Sequence, residues 1–248
     1  MLITTNAVVL KAIAYSDTSL IVRLFTEDHG KVTVIAKGAK RSKSPFGSSL
    51  EPMNNLQVNY YHKETRDIQL LKETSLEQTL FNIRGNMTKM TIGFAIIEIM
   101  DKTSRENDTN HILFRLVTRI ITSLEESKGD DNHLFWFFLI QFAIRSGFRP
   151  NLEYCSRCRQ PLSLVILDSN IGDLSCDSCL KSGDIILNQE NLSFLKKLSI
   201  THLDEIEDLA GYEDTKSEIQ SFLITFISYH LEGMNKVRSL EILEQINE

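Results

Sequence analysis

The sequence predicts an α+β fold, in which a small all-β part is followed by a helical part with a cysteine-rich insertion. Three observations support this prediction. Short runs of branched and apolar residues, separated by turn residues, fill the first eighty positions. Apolar residues then recur at helical spacing. All four cysteines lie in one loop-rich stretch, from Pro150 to Gly183.

Five β-strands are expected in the first part. The runs that predict them are Ala7–Ala14, Leu20–Thr26, Val32–Ala36, Leu56–Tyr61 and Ile68–Leu71. Turn residues at 15–17 and 28–30 and a longer loop at 37–52 separate them. Five short strands in about seventy residues are typical of a small sandwich or barrel.

Helices are expected after Gln78. The positions that carry the helical stripes are Met87, Met90, Phe94, Ile97 and Met100, then Leu113, Leu116, Val117, Ile120 and Leu124, and near the end Ile219, Phe222, Leu223, Phe226 and His230. A third helix, from Leu134 to Ser146, is capped by residues 130–132 and stops at Gly147. Its aromatic residues predict a buried helix. The predicted domains are therefore 1–80 and 81–248, with the insertion at about 150–183.

The composition is that of an ordinary globular protein, with 42% apolar and 24% charged residues. The longest apolar run, Leu134 to Ile140, is far shorter than the ~20 residues that span a bilayer. The first residues lack the pattern of a targeting peptide. We therefore expect a soluble, cytoplasmic protein with no membrane partner.

Charge is distributed unevenly along the chain. The net charge is −6, yet residues 1–80 contain 10 Lys and Arg against 8 Asp and Glu. This asymmetry favours an anionic partner for the first part and a different partner for the rest.

The cysteines form the most specific motif. Cys155 and Cys158 are one C-x2-C pair, and Cys176 and Cys179 are a second pair after a 17-residue spacer. Two such turns can present four thiolates tetrahedrally, as structural Zn²⁺ sites do. Such a site leaves no coordination position open for a substrate. There are three alternatives. Disulfides are disfavoured in a reducing compartment, and a redox C-x-x-C motif would need a βαβ setting, which is absent. Unrelated free thiols would not fall into two matched pairs.

A basic segment follows the third strand. Residues 31–50 contain five basic side chains and no acidic one, and the glycines and serines after Lys37 predict a mobile loop. The basic residues are Lys31, Lys37, Lys40, Arg41 and Lys43. Such a loop suits a phosphate backbone, which Lys and Arg bind with release of counterions. A solvated loop that only keeps the protein in solution is an equally open alternative.

Four aromatic residues are candidate platforms for nucleic-acid bases: Tyr15, Phe46, Tyr60 and Tyr61. Adjacent residues on a strand face opposite sides, so at most one of Tyr60 and Tyr61 can serve. Core packing is the alternative for each tyrosine. We find no phosphate-binding loop, nucleophile elbow or zinc-protease motif, so no motif in the sequence indicates an enzyme.

Several stretches of the chain form a specific series. They are Ala7–Leu10, Tyr15–Asp17, Leu24–Thr26 with Gly30, Ala36–Arg41, Leu50–Pro52, Leu70–Glu73 and Gly147–Leu152 before the first cysteine pair. Together they resemble the RecO family of bacterial recombination mediators. The resemblance covers nearly the whole chain. It departs from the family pattern at Arg159, where glycine is frequent, and at Gly172, which stands alone where many members have two glycines.

The resemblance implies an N-terminal OB-fold barrel, with five strands, followed by an α-helical domain that carries a four-cysteine zinc module. It also implies a DNA repair protein that binds single- and double-stranded DNA, anneals complementary strands and engages RecR and single-strand binding protein. Together these proteins help load the RecA recombinase near the nucleoid. On this basis Lys37, Lys40, Arg41 and Lys43 are the main DNA-binding candidates, and Arg23 and Lys31 are lesser ones. Two other hypotheses are a protein-interaction adaptor with incidental DNA contact and, less favoured, a metal-dependent hydrolase.

Overall fold

The computed structural model describes residues 1–129, 131–168, 170, 172–180, 185–209, 216–232, 234 and 237–247. Contacts within the chain define two compact units, Met1–Glu126 and Ser127–Glu248. In the described part of the chain, no helix is both long and apolar enough to cross a membrane.

The first unit begins with a closed five-stranded barrel. Its strands are β1 (Leu2–Ala14), β2 (Leu20–Thr26), β3 (Gly30–Ala36), β4 (Asn55–Tyr61) and β5 (Ile68–Leu76). They are paired in the order β1-β2-β3-β5-β4, with β4 also pairing with β1. Every pairing is antiparallel except that of β3 with β5. The predicted five-stranded barrel is confirmed.

Alternation along the strands places the core inside the barrel. In β3, Val32, Val34 and Ala36 are buried, while the residues between them are partly exposed. The pattern repeats in β2 and β4, because successive side chains of a strand point to opposite faces. A single hydrophobic cluster therefore fills the interior.

Three helices complete the first unit: α1 (Phe81–Gly85), α2 (Met87–Thr103) and α3 (His111–Glu126). They pack on the outside of the barrel, where the Phe114 ring of α3 lies 6.1 Å from the Phe25 ring of β2. The segment between α2 and α3 contacts the β2–β3 turn closely. A Cβ on Gly30, whose φ is +61°, would lie 2.2 Å from the carbonyl oxygen of Asp108, so only glycine fits this turn.

The second unit is mainly helical. Its described elements are α4 (Asp131–Arg145), β6 (Val165–Asp168), β7 (Asp173–Ser175), β8 (Ile185–Leu187), α5 (Gln189–Ile200), a 3₁₀ helix (Leu203–Asp208), α6 (Lys216–His230) and α7 (Arg238–Asn247). Helix α4 is buried over residues 131–143 and contacts α5, α6 and the 3₁₀ helix. The aromatic residues of α4 thus form the core of this unit, as the sequence predicts.

The insertion is more regular than the sequence suggests. Strands β6 and β7 form a hairpin, and β8 pairs with β6 on its other side. The stretch 150–183, expected to be loop-rich, therefore contains β6 and β7, which the sequence analysis did not predict. These strands have only three or four residues and provide too short an alternation to recognise. Helices α5 and α7 were likewise not predicted. Asp130 of the expected helix cap and Gly183 lie outside the described residues.

The barrel ends near residue 80, and α1–α3 belong to the same compact unit as the barrel. The division into domains 1–80 and 81–248 stays a prediction about which segments fold independently.

Candidate nucleic-acid interface and metal centre

The basic loop, residues 37–54, connects β3 to β4. Its second half is anchored in the barrel, because Phe46 and Leu50 belong to the hydrophobic cluster of the interior. The Ser49 hydroxyl donates to the Phe46 carbonyl oxygen, and the Asn54 amide donates to the carbonyl oxygens of Ser48 and Ser49. The expectation of a mobile second half is therefore wrong, since buried side chains and internal hydrogen bonds hold it.

The first half of the loop presents the cations. Lys37, Lys40, Arg41 and Lys43 are all exposed. Lys40 joins the loop to the β1–β2 turn: its backbone N–H donates to the Thr18 carbonyl oxygen over 3.0 Å, and its ammonium donates to that of Ser16 over 3.2 Å. The structure therefore brings the four main candidates together on one anchored segment.

The two lesser candidates, Arg23 and Lys31, lie on the barrel wall beside α2. Arg23 forms an ion pair with Asp101, with Nη2 and Oδ2 2.6 Å apart. The Lys31 ammonium donates to the backbone carbonyl oxygen of Asp101 over 3.0 Å. Both cations thus have partners within the unit.

The aromatic candidates divide into buried and exposed pairs. Phe46 and Tyr60 are 5% and 1% exposed, so both are wrong as base platforms. Phe46 fills the barrel interior because the loop turns inward, and Tyr60 faces inward from β4. Tyr15 and Tyr61 are 63% and 44% exposed and can contact a ligand.

The four cysteines converge in the second unit. Their Sγ atoms all lie within 4.8 Å of one another, and those of Cys158 and Cys176 are 3.7 Å apart. A tetrahedral zinc site with Zn–S distances of about 2.3 Å has S···S edges of about 3.8 Å. The donor set and its spacing therefore fit a metal ion bound by four thiolates, with no coordination position left open.

Backbone turns position these sulfurs. Arg159 N–H donates to the Cys155 carbonyl oxygen and Cys179 N–H donates to that of Cys176, which closes each C-x2-C pair into a tight turn. The N–H of Cys176 also points at the Cys155 sulfur over 3.4 Å. Arg159 has a φ of +63°, so this departure from the family pattern keeps the backbone conformation that favours glycine.

The surroundings of the thiols alter their acidity. Burial tends to raise the pKa of Cys155, but hydrogen bonds from the backbone at Cys158 and Cys176 outweigh burial and lower the pKa to about 6. Hydrogen bonds with the Cys158 and Cys176 thiols raise the pKa of Cys179 to about 12. Four neighbouring sulfurs cannot all ionise without a cation, and a metal ion would supply that charge.

Gly172, next to β7, packs on Tyr229 of α6. A Cβ on Gly172, whose φ is +65°, would lie 2.2 Å from the Tyr229 ring. This contact explains why glycine stands there, and it ties the cysteine module to the helical part of its own unit. Sequence reasoning noted Gly172 only as a departure from a family pattern.

Sequence reasoning also missed a cavity of about 440 Å³ in the second unit. Apolar side chains of Ile144, Leu152 and Ile200 line it. Its charged lining residues are Arg149 and Lys197, which are exposed, and Lys196, whose ammonium pairs with the Glu153 carboxylate over 3.0 Å. The residues come from two segments about forty positions apart in the sequence, so no local pattern signals the site.

These features define a class: a two-part protein with a small closed barrel that carries a basic loop, and a mainly helical unit with four clustered cysteines that could hold a metal ion. Comparisons with known proteins identify the family. Residues 1–80 match the family model described as Recombination protein O N terminal, and residues 84–241 match Recombination protein O C terminal. The chain therefore belongs to the RecO family.

Curated relatives agree over nearly the whole chain. A protein of Salinibacter ruber named DNA repair protein RecO is 30% identical over 99% of this chain and 94% of its own length. Proteins of the same name from Chloroherpeton thalassium and Desulfatibacillum aliphaticivorans are 25% and 29% identical, over 98% and 92% of both chains. The predicted family is confirmed.

Proposed function

We propose that this protein binds single- and double-stranded DNA through its basic loop and anneals complementary strands in DNA repair and recombination. One observation carries the proposal: Lys37, Lys40, Arg41 and Lys43 are exposed on one anchored segment, without an acidic residue in the segment 31–50. A fixed cationic surface attracts phosphates and releases counterions on binding. Arg23 and Lys31 contribute less, since both already have partners.

Annealing follows from the same chemistry. Two complementary strands repel each other through their phosphates, and a cationic surface that binds both lowers this repulsion. Holding the strands close also raises their effective concentration. No bond in the DNA is made or broken, so the proposed activity is that of a mediator and not of an enzyme.

We further propose that the cysteine site binds Zn²⁺ and is structural. Four thiolates are the donor set of structural zinc, and a filled tetrahedron leaves no position for a reacting water. The ion would hold the two C-x2-C turns together. This geometry therefore argues against the hypothesis of a metal-dependent hydrolase.

We propose that the protein partners are RecR and single-strand binding protein. Together they would help load the RecA recombinase onto single-stranded DNA, in the cytoplasm at the nucleoid. The cavity edged by Arg149 and Lys197 supports the second of these partners, because an acidic tail with apolar side chains would fit a hydrophobic pocket with a cationic edge.

The DNA-binding test is a fourfold variant, Lys37→Gln, Lys40→Gln, Arg41→Gln and Lys43→Gln, titrated against a fluorescent oligothymidylate strand at several salt concentrations. Affinity at low salt should fall, and the slope of log K against log[salt] should flatten by about 3, since each lost phosphate contact contributes ~0.7. The matched control replaces four exposed cations on or beside helices: Lys102, Arg105, Arg119 and Lys128. An unchanged slope in the loop variant, or an equal change in the control, contradicts the proposal.

A second measurement distinguishes the adaptor hypothesis from the mediator hypothesis. Annealing of complementary strands is followed with and without single-strand binding protein, and RecR capture is measured after nuclease treatment. Annealing by wild-type protein and its loss in the loop variant support the mediator. Capture of RecR without any DNA binding or annealing would favour the adaptor.

A further inference from the structure

A small polar cleft lies in the first unit, between the barrel and α3. Its volume is about 200 Å³. Ala7 of β1, Leu56 of β4 and Phe114 of α3 supply its apolar wall, and Glu27 and Glu77 line it with carboxylates. Every residue that lines it belongs to the described part of the chain. We call this site the acidic cleft.

Hydrogen bonds to the barrel strands fix both glutamates of the acidic cleft. Glu27 follows the end of β2, and its backbone N–H donates to the Asn6 carbonyl oxygen over 2.9 Å. The Asn6 side-chain amide donates back to Glu27 Oε2, also over 2.9 Å. Glu77 follows the end of β5, and its backbone N–H donates to the Asn55 carbonyl oxygen over 3.0 Å. The two carboxylates are therefore carried by ordered backbone at the ends of two strands.

A buried acceptor of the acidic cleft has no partner. Asn55 is only 7% exposed, and its side-chain Oδ1 is buried without a hydrogen-bond partner among the described residues. Asn55 lines the cleft together with the two glutamates. Buried carbonyl oxygens in proteins are almost always paired, because an unpaired one has lost its bonds to water without replacement. A ligand that donates hydrogen bonds would complete this site.

The charge and size of the acidic cleft restrict its ligand. Two carboxylates and the exposed guanidinium of Arg115 line it, which leaves one net negative charge. Among the described residues, no ion pair joins Arg115 to Glu27 or Glu77. A single positive charge with N–H donors therefore matches the cleft, and an aliphatic chain suits its apolar wall. Pockets for drug-sized ligands and cofactors measure about 300–1,000 Å³, so this cleft admits one side chain or a small amine.

We propose that the acidic cleft binds the ammonium or guanidinium group at the end of an aliphatic chain. The two carboxylates accept charge-assisted hydrogen bonds, Asn55 Oδ1 accepts another, and the chain packs on Phe114. A lysine or arginine side chain of another protein and a free polyamine both carry this chemistry. A divalent metal ion fits less well, because only two carboxylates line the cleft and its apolar wall offers no ligand. The inference goes beyond the proposed function, since this site takes cations and the basic loop takes phosphates.

The test titrates the full chain, labelled with ¹⁵N, against putrescine and against three short glycine peptides that contain one arginine, one lysine or one glutamine. NMR suits the weak binding of a single side chain, with dissociation constants on the order of millimolar. The Asn55 side-chain amide and the Glu77 backbone amide should shift with the arginine or lysine peptide, with putrescine, or with both, and not with the glutamine peptide. The tighter ligand identifies the source, a protein side chain or a free amine.

Variants test the acceptors separately. Glu27→Gln combined with Glu77→Gln should lower the affinity by at least about tenfold, because the ligand loses both charged acceptors. The matched control, Glu64→Gln combined with Asp67→Asn, removes two exposed carboxylates between β4 and β5, near the opposite ends of these strands, and should bind normally. Asn55→Ala should also weaken binding but should not lower the melting temperature, since it removes a buried acceptor that has no partner.

Four results would overturn the proposal: no shift with any charged ligand, equal shifts with the glutamine peptide, an equal loss of affinity in the control, or displacement of the amine by MgCl₂ at constant ionic strength. The last result would make the cleft a metal site. Thermal unfolding shows whether each variant is folded, and Glu77→Gln alone, at an exposed position, replaces the double variant if that protein is not. The measurements contain no DNA, so their failure and the failure of the proposed function are distinguishable.

Discussion

Arg23 on β2 and Asp101 near the end of α2 form an ion pair with a 2.6 Å separation between Nη2 and Oδ2. The Asp101 side chain is only 4% exposed, and that of Arg23 is 29% exposed. This pair links the barrel to a helix within one unit. Arg23, which is a DNA-binding candidate from the sequence, can therefore stabilise the fold instead.

Loss of this pair should affect stability more than DNA binding. Arg23→Gln leaves a buried carboxylate without its cation, so the free energy of unfolding should fall by about 2 kcal/mol. Lys43→Gln, at an exposed loop position, should leave stability unchanged and lower DNA affinity more. Urea unfolding and DNA titration of both variants provide the check. A full effect of Arg23→Gln on affinity, with stability intact, would instead make Arg23 a principal DNA contact.

Removal of the metal should loosen only the cysteine module and its neighbours. We expect about one zinc ion per chain in reduced protein and almost none in Cys158→Ser, because structural sites need all four ligands. Hydrogen exchange should rise in the peptides between residues 153 and 180 and stay unchanged in the barrel. Ser156→Ala, a neighbouring change that removes no sulfur, is the control for metal content. Purified reduced protein without metal would contradict the zinc assignment.

Gly172→Ala should destabilise the second unit. The new methyl group would meet the Tyr229 ring at 2.2 Å, and alanine also disfavours a φ of +65°. The two effects together should lower the melting temperature by several degrees, in line with about 2 kcal/mol. Gly147→Ala is the matched control, since Gly147 has a φ of +94° with no atom within 4 Å of the added Cβ. Equal effects of the two variants would show that the ring contact contributes nothing.

Alkaline pH should destabilise the barrel through Tyr60. Burial, with a further contribution from the charge of Asp28, raises the pKa of Tyr60 from 10.0 to about 12. The folded protein thus disfavours the ionised form of Tyr60. The stability that the neutral side chain contributes is fully present below pH 10 and is lost as the pH rises towards 12. At a pH of about 11 the loss should be about 1.4 kcal/mol, one pKa unit of linkage.

Tyr60→Phe should remove this part of the pH dependence, because phenylalanine cannot ionise. Tyr61→Phe should not, because Tyr61 is 44% exposed and faces away from the interior. Urea unfolding at about pH 9 and about pH 11 for the three proteins measures the difference. The same decline in Tyr60→Phe as in wild type would show that other groups cause it.

Much of the fold could be predicted from local patterns in the sequence. All five strands were expected, because alternation and branched residues report on a half-buried surface. The bounds of β2, β3 and β4 were expected within two residues, whereas β1 begins five residues earlier and β5 ends five residues later than expected. Helix α4 was expected to be buried from its aromatic content, and Trp136 and Phe138 are indeed fully buried. The clustering of the four cysteines was expected from their spacing alone, since two residues between cysteines suffice to shape each turn. The strands of the insertion were missed because three or four residues are too few for a pattern.

By itself, the sequence determined the five strands of the barrel, the two cysteine pairs and the segment that holds the basic residues, since each depends on neighbours along the chain. Only the tertiary structure decided which of these residues are available. Phe46 turned out to be a core residue and Arg23 an ion-pair partner, because their surroundings come from β-strands and helices distant in sequence.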